Sequence, residues 1–292
     1  MLETSIKRRR KYRGMNSIPV QILLIAYLLM SIVFVILPVY ITFIHSFKTD
    51  YDIQMSHVFA LPARWIFSNW NTGFFRLLPN MLNSIAVCVI CAVISALLAY
   101  ITAYTFTRFN FPGKNVLFSL IIALMLIPGL LTLTPLYLVV TRLGLRNTWF
   151  AVILPWIASG QVGAVFLFRT FLSQQPSELF ESARIDGAQE ARVMFTISMP
   201  LAVPIIILQL INTFSGLYND YIWSMMVIDN KAIQLLMAEL KTLTSDGATA
   251  GGDSSKGLAY AMYLLAGIPL ILVSVVGMKY FISGDFASGL KL

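Results

Sequence analysis

Cys88 and Cys91 are separated by two residues, a spacing that elsewhere holds a metal ion or shuttles a disulfide. Either chemistry needs further groups: additional thiolate or imidazole ligands, or an exposed thiolate of low pKa. The two histidines, His45 and His57, lie in other parts of the chain, and both cysteines sit in a run without charge. They read as small apolar residues of a buried helix, and no metal site is expected. Asp220 is the second prospect, because a carboxylate in an apolar run is costly to bury and is a functional candidate by default. Asn219 adds a polar group beside it, and Tyr218, Tyr221 and Trp223 supply rings of the kind that stack on sugars. The same residues also read as a buried hydrogen-bonding pair flanked by aromatic anchors at a membrane boundary. Asn83 and Tyr137 complete the polar candidates for a solute pathway. One such carboxylate and two histidines make no converging catalytic set, so no catalytic residue is assigned. GxxxxGK[ST] occurs nowhere, so the chain is not expected to bind ATP through a P-loop.

Positioning these groups requires elements suited to an unusual solvent. Of the 292 residues, 58% are hydrophobic and 12% charged, against about 45–50% and about 25% in a typical soluble domain. The composition is that of an integral membrane protein. The formal charge of +8 does not indicate nucleic acid, because Lys7, Arg8, Arg9, Arg10, Lys11 and Arg13 crowd into one short tail before an apolar run. That run, 14–47, has 34 residues without Lys, Arg, Asp or Glu. It is far longer than the roughly 7–15 residues of a secretory core and has no A-x-A-like site, so it reads as a retained transmembrane helix.

Six intervals are free of Lys, Arg, Asp and Glu and long enough to cross hydrocarbon. The expected organisation is a basic tail at 1–13 and one transmembrane domain at 14–292. Its spans fall near 18–45, 77–107, 115–140, 148–169, 200–228 and 257–280. With the N-terminus inside, thirteen Lys and Arg lie on the cytoplasmic side against eight outside, which orients both termini inward. The fold class expected is therefore all-α, an integral membrane protein with six transmembrane helices. Two loops are long: a cytoplasmic one at 172–199 between the fourth and fifth helices, and an outer one at 229–256. The outer loop carries a Gly- and Ser-rich stretch near its end.

The inner loop is patterned for two short helices. Pro176 and Ser177 suit a helix start, Leu179, Phe180 and Ala183 share a face, and Glu181 and Arg184 point away. Asp186 and Gly187 break the helix, and Asp186 with Gln189 fits an Asp-led capping box for the next one. Ala188, Ala191, Phe195 and Met199 would form its apolar stripe. Such an element can lie in the headgroup layer, serve as a solvated connector, or seat in another protein's groove.

Glu181-Ser182-Ala183, then Asp186-Gly187-Ala188, then Phe195, Ile197, Pro200 and Pro204 resemble the EAA loop of ABC importer permeases. Asn83-Ser84, AYTFTRFNFPGK at 103–114, IPGLLTLTPLY at 127–137, LGLRNT at 143–148 and YNDYIW at 218–223 extend the likeness over most of the chain. The ending MKYFISGDFASGLKL is similar to the close of the MalG-type carbohydrate permeases, although the second triplet position is Ser182 rather than Ala. The resemblance implies one permease subunit of a binding-protein-dependent importer in a bacterial cytoplasmic (inner) membrane. Its partners would be a second homologous permease, an ABC ATPase dimer that binds the ATP-Mg, a soluble substrate-binding protein, a carbohydrate substrate and membrane lipid. No cofactor is implied in this chain itself. Glu181, Ser182, Ala183, Asp186 and Gly187 would couple it to the ATPase. A permease for a non-sugar solute shares the EAA loop. An ion-coupled secondary transporter would show more intramembrane charge and a detectable repeat.

Overall fold

The computed structural model describes residues 18–246 and 255–282, all of whose regular structure is helical. The basic tail, most of the Gly- and Ser-rich stretch and the chain beyond 282 lie outside the described residues. The described chain forms two compact units, 18–73 with 255–264 and 74–246 with 265–282, whose boundary falls within two long helices.

The first unit is built on α1 (Ile18–His45), a helix without Lys, Arg, Asp or Glu whose side chains are almost all exposed until its last residues. A helix apolar on every side is matched to hydrocarbon or to another subunit, not to water. After it, α2 (Asp50–Met55) is capped by Thr49, whose hydroxyl accepts from the Asp52 amide. The start of α3 (Ser68–Arg108) ties back: Trp70 Nε1 donates to Ser46 Oγ at 3.0 Å, and Asn69 donates to the carbonyls of Ser46 and Lys48.

In the second unit α3 is the spine. Ala96, Ala99, Tyr100, Ala103 and Tyr104 present a buried face to Ala164, Val165, Phe168 and Leu172 of α6 (Phe150–Leu172). Small residues let the helices approach closely, which is how membrane helices gain dispersion contacts where burial from water offers little. The last helix, α13 (Lys256–Ile282), meets α10 (Val203–Tyr218) at Gly277, where a Cβ would collide with Ile211 Cδ1.

Among the described residues four helices are individually long and apolar enough to span a membrane, and counting each of two bent pairs as one span gives six. The interval 115–140 is not a straight helix: α4 (Lys114–Leu124) and α5 (Gly129–Arg142) meet at 98°. Pro128 explains the break, since it lacks a backbone donor and pushes Ile127 out of helical geometry. The second bend, 78°, separates Glu190–Leu201, which ends in α9 (Met199–Leu201), from α10, with Pro200 and Pro204 on either side of it. The inner loop thus turns sharply into the fifth span. Beyond α10, Asn219 to Tyr221 interrupt the helix before α11 (Ile222–Val227), and the outer loop contains a helix of its own, α12 (Leu236–Asp246).

Candidate functional site

The inner loop forms two helices about a tight turn, α7 (Ser177–Ile185) and α8 (Glu190–Val193), with Pro176 and Gln189 at their starts. The turn has a specific closure. Gly187 adopts φ +77°, its amide donates to Arg184 O at 3.0 Å, and the Ala188 amide donates to Ala183 O at 3.0 Å. These are the paired bonds of a Schellman motif, which satisfies carbonyls that a helix end otherwise leaves open. Glycine stands at 187 because L side chains are strained at that φ. Asp186 is therefore the C-terminal cap of α7, not the N-terminal cap of a second helix; α8 begins after Gln189 without a side-chain cap. The resemblance-derived set now has geometry: Ala183 is buried, Gly187 permits the turn, and Glu181, Ser182, Asp186 and Gly187 lie exposed around the tip.

A register shift changes the second half of the element. Residues Met194–Ser198 form a π-helical turn. The expected stripe of Ala188, Ala191, Phe195 and Met199 assumed an unbroken α period. The wider turn instead buries Val193 and Ser198, with Met194 and Ile197 partly covered, and leaves Ala191 and Phe195 exposed. On α7, Phe180 and Ala183 are buried as their spacing suggests, but Leu179 is 40% exposed and Ile185 is 86% exposed. Ile185 thus protrudes from the tip of a polar turn.

The loop is fastened to α3 and α6 by side chains. Phe180 packs against Tyr100, Tyr104, Phe168 and Leu172 in one buried cluster. Arg108, at the end of α3, lies 3.5 Å above the Phe180 ring centroid and donates through Nη2 to Leu172 O at 3.1 Å and to Gln175 O and Oε1, both at 3.4 Å. Ser198 Oγ receives the Tyr100 hydroxyl at 2.8 Å and donates to Gln175 Oε1 at 2.8 Å, while Gln175 Nε2 returns a bond to Ser198 O. Tyr104 donates to Glu190 Oε2 at 3.1 Å, and Arg184 donates to Glu190 Oε1 at 2.5 Å. The Arg184 guanidinium holds the Glu190 carboxyl below the usual carboxylate range, with the Tyr104 hydroxyl adding to the effect. Arg184 is raised in turn, chiefly by that same bond. Tyr100, Tyr104 and Arg108 are four apart and share one face of α3, so polar residues recurring at helical spacing in an apolar run were the signal available for this clamp.

The pathway candidates are gathered toward the other end of the unit. Asp220 Oδ2 accepts from Trp156 Nε1 at 3.0 Å, and Oδ1 accepts from the Trp223 amide at 3.2 Å, so the carboxylate restarts the helix after the break. Trp223 is buried and donates to Ala151 O at 3.0 Å; Tyr218 is buried and its hydroxyl donates to Ala266 O at 2.8 Å. Asn219 is exposed, its amide turned back to Ser215 O. Asn83 donates to Ala232 O at 2.9 Å, and beside it Asn80 donates to Gln234 O at 3.0 Å and Ser84 Oγ accepts from the Leu236 amide at 2.7 Å. Tyr137 is half-buried beneath Arg146, which pairs with Asp229 at 2.7 Å. Asn147, at φ 58°, accepts from the amides of Asp229 and Asn230. Cys88 and Cys91 are free and wholly buried.

Comparison with known proteins joins these features to a family. The chain is 29% identical over 295 residues to the probable ABC transporter permease protein YurM of Bacillus subtilis, covering 99% of this chain and 93% of that protein. It is likewise 29% identical over 268 residues to the sn-glycerol-3-phosphate transport system permease protein UgpE of Brucella abortus, covering 88% and 93%. Its fold is similar to a chain of a bacterial ABC transporter involved in import of the acidic polysaccharide alginate, with a TM-score of 0.79 at 22% identity, over 91% of this chain and 98% of that one. A second structure, that transporter in complex with an alginate pentasaccharide-bound periplasmic protein, gives a TM-score of 0.61 at 14% identity, over 95% and 94%. Residues 95–284, which contain the clamp, the turn at Gly187 and the Asp220 break, match the binding-protein-dependent transport system inner membrane component, and the chain belongs to that family.

Proposed function

We propose that this chain is one of two permease subunits of an ABC importer that carries an oligosaccharide across the cytoplasmic membrane by alternating access. The observation that carries the reading is the inner-loop element, a compact two-helix tip closed at Gly187 and fastened by Arg108, Tyr104 and Gln175 to the helices behind it. A tip of this kind moves its helices as a lever when a partner moves it. The partner is an ATPase dimer that binds ATP-Mg, with Ile185 and Leu179 as apolar anchors and Glu181, Ser182, Asp186 and Gly187 around them. The charge bias supports an orientation with this loop and both termini in the cytoplasm and the 229–256 loop outside, toward a substrate-binding protein.

Among the pathway candidates, Asn219 and Tyr137 have surface to offer a solute. Tyr218 and Trp223 are buried, while Asp220 and Asn83 are part-exposed but held by hydrogen bonds, Asp220 from Trp156 and Asn83 to the outer loop. The saccharide reading is supported by the similar fold of a chain from a transporter involved in import of the acidic polysaccharide alginate, whereas a sequence relative is named for sn-glycerol-3-phosphate. The test is ATP hydrolysis by the purified complex in proteoliposomes with its cognate binding protein. Neutral oligosaccharides, uronate oligosaccharides and glycerol phosphate are added in turn. Stimulation by one saccharide class supports the reading; stimulation by glycerol phosphate alone replaces the substrate, and uptake driven by an ion gradient without ATP overturns the mechanism.

A further inference from the structure

Two pockets adjoin where α4 leaves the turn RFNFPGK, and neither is part of the clamp. The first, about 440 Å³, is lined by Asn110, Phe111, Lys114, Asn115, Val116 and Arg169, with two cations and no carboxylate. The second, about 400 Å³, is lined by Phe106, Leu117, Leu120, Ile121, Leu124 and Ile127, all hydrocarbon. An aromatic wall divides them. The Phe106 ring of the second pocket packs on Phe111 of the first at 5.6 Å and on Phe118 at 5.8 Å.

Donor capacity shows what the polar pocket is suited to receive. Lys114 Nζ donates to Phe109 O at 2.8 Å and to Asn110 Oδ1 at 3.4 Å, and an ammonium has a third N–H to give. Arg169 lies over the Phe118 ring, 3.6 Å from its centroid, which engages the face of the guanidinium and leaves its N–H edge for an acceptor. Neither cation pairs with a carboxylate among the described residues. A half-buried, doubly basic pocket beside a hydrocarbon groove has the chemistry of an anionic headgroup with an acyl chain attached.

We propose that these pockets together bind one anionic phospholipid, its phosphate between Lys114 and Arg169 and an acyl chain in the groove beside Leu120 and Leu124. Free phosphate shares the headgroup chemistry but gains nothing from the groove, so the pairing of pockets selects the lipid. Placement in the inner leaflet rests on the orientation proposed above; binding itself does not.

The test delipidates the full chain, purified in detergent with the subunits that accompany it. It is titrated with phosphatidylglycerol, phosphatidylcholine or inorganic phosphate, and bound lipid is counted by native mass spectrometry. Phosphatidylglycerol should be held in preference to phosphatidylcholine, about fivefold less tightly in Lys114→Gln or Arg169→Gln and about thirtyfold less in the double variant. Arg169→Lys, which keeps the charge, should retain most of the binding and controls for lost packing on Phe118. Equal retention of both lipids, undiminished binding by the double variant, displacement of lipid by inorganic phosphate alone, or a complex whose second permease leaves no room for lipid would each overturn the proposal. No transport is measured, so failure here leaves the permease reading standing, and failure of that reading leaves the lipid count intact.

Discussion

The two ends of α3 each hold a long loop, and they do so by different chemistry. Toward its C-terminus, Tyr100, Tyr104 and Arg108 reach side chains of the inner loop, through Ser198, Glu190 and Gln175, as well as backbone carbonyls. Toward the other end, Asn80 and Asn83 donate only to backbone carbonyls of the outer loop, at Lys231, Ala232 and Gln234. A contact with a carbonyl fixes the path of a loop whatever its side chains are. A contact between side chains fixes the identities of both partners. The inner loop is thus tied into α3 as a fitted part, as a lever must be if a push at its tip is to move the helix. From α3 the outer loop is held by bonds that leave its own sequence free, and the side-chain pair that fixes its start, Arg146 with Asp229, comes from elsewhere.

The strongest way to break this contrast is at the inner turn. Gly187→Pro replaces a residue at φ +77° with one locked near −65° and also removes the amide that donates to Arg184 O. The variant should insert into the membrane at normal levels, because the turn lies beyond the packed core, yet lose transport and binding-protein-stimulated ATP hydrolysis altogether. Normal stimulation in proteoliposomes would show that the turn's shape does not matter. Arg108→Leu comes next. It removes the three bonds from Nη2 and the stacking on Phe180, but it also removes a buried Nε that has no partner. The stability cost should therefore be modest, about 1–2 kcal/mol, while stimulated ATP hydrolysis falls about tenfold because the lever is loosened from α3. Arg108→Lys should not rescue it, since a lysine cannot both stack on the ring and fork to two acceptors. Loss of melting temperature in proportion to loss of stimulation would reduce the clamp to a matter of stability.

Much of the inner element was legible in the sequence, because its determinants are local. Apolar spacing put Phe180 and Ala183 on one face, and an Asp-Gly pair between helical segments marked a turn. Asp186 was assigned to the wrong helix because a cap residue can serve either neighbour, and only the Ala188 and Gly187 amides, turned back to Ala183 and Arg184, decide which. Of the expected stripe, Ala188 and Met199 pack on the core and Ala191 and Phe195 do not; at Phe195 the cause is the π turn at Met194–Ser198, which widens the period and which no residue type announces. Arg108 stands out in the sequence as a cation at the end of an apolar run, but its role depends on Phe180 and Gln175, far along the chain. The break in the third span was legible in Pro128 and Gly129, although an uncharged interval counts length and overlooks bends.

The outer end offers a gentler perturbation that sharpens the contrast. Asn80→Ala removes two bonds to the outer loop, and Asn83→Ala removes two more. Each should cost about 1 kcal/mol of loop order. The expected result is weaker binding-protein affinity, about fivefold by titration calorimetry, with ATP hydrolysis at saturating binding protein unchanged. If Asn80→Ala instead uncouples the complex as Arg108→Leu does, the two ends of α3 are not doing different jobs.

The smallest effect concerns charge within the clamp. Glu190 is held below the usual carboxylate range by Arg184 and by the Tyr104 hydroxyl. A depressed carboxyl contributes stability above its unfolded value, near about 4.3, and loses it only as pH falls through the lower folded value. Stimulated ATP hydrolysis should therefore show no step assignable to Glu190 between roughly pH 5 and pH 8, where carboxylates of this kind stay charged. The Arg184–Glu190 pair is part-exposed and solvent-screened, and is worth about 0–1 kcal/mol. Glu190→Gln keeps an acceptor for Tyr104 and should lower stimulation less than twofold, an order-of-magnitude expectation for a screened pair, whereas Glu190→Leu, which leaves the Tyr104 hydroxyl facing an apolar group, should cost more. A steep acid step that disappears in Glu190→Gln would mean that the ion pair, rather than the buried bonds of Arg108 and Gln175, holds the lever to its helix.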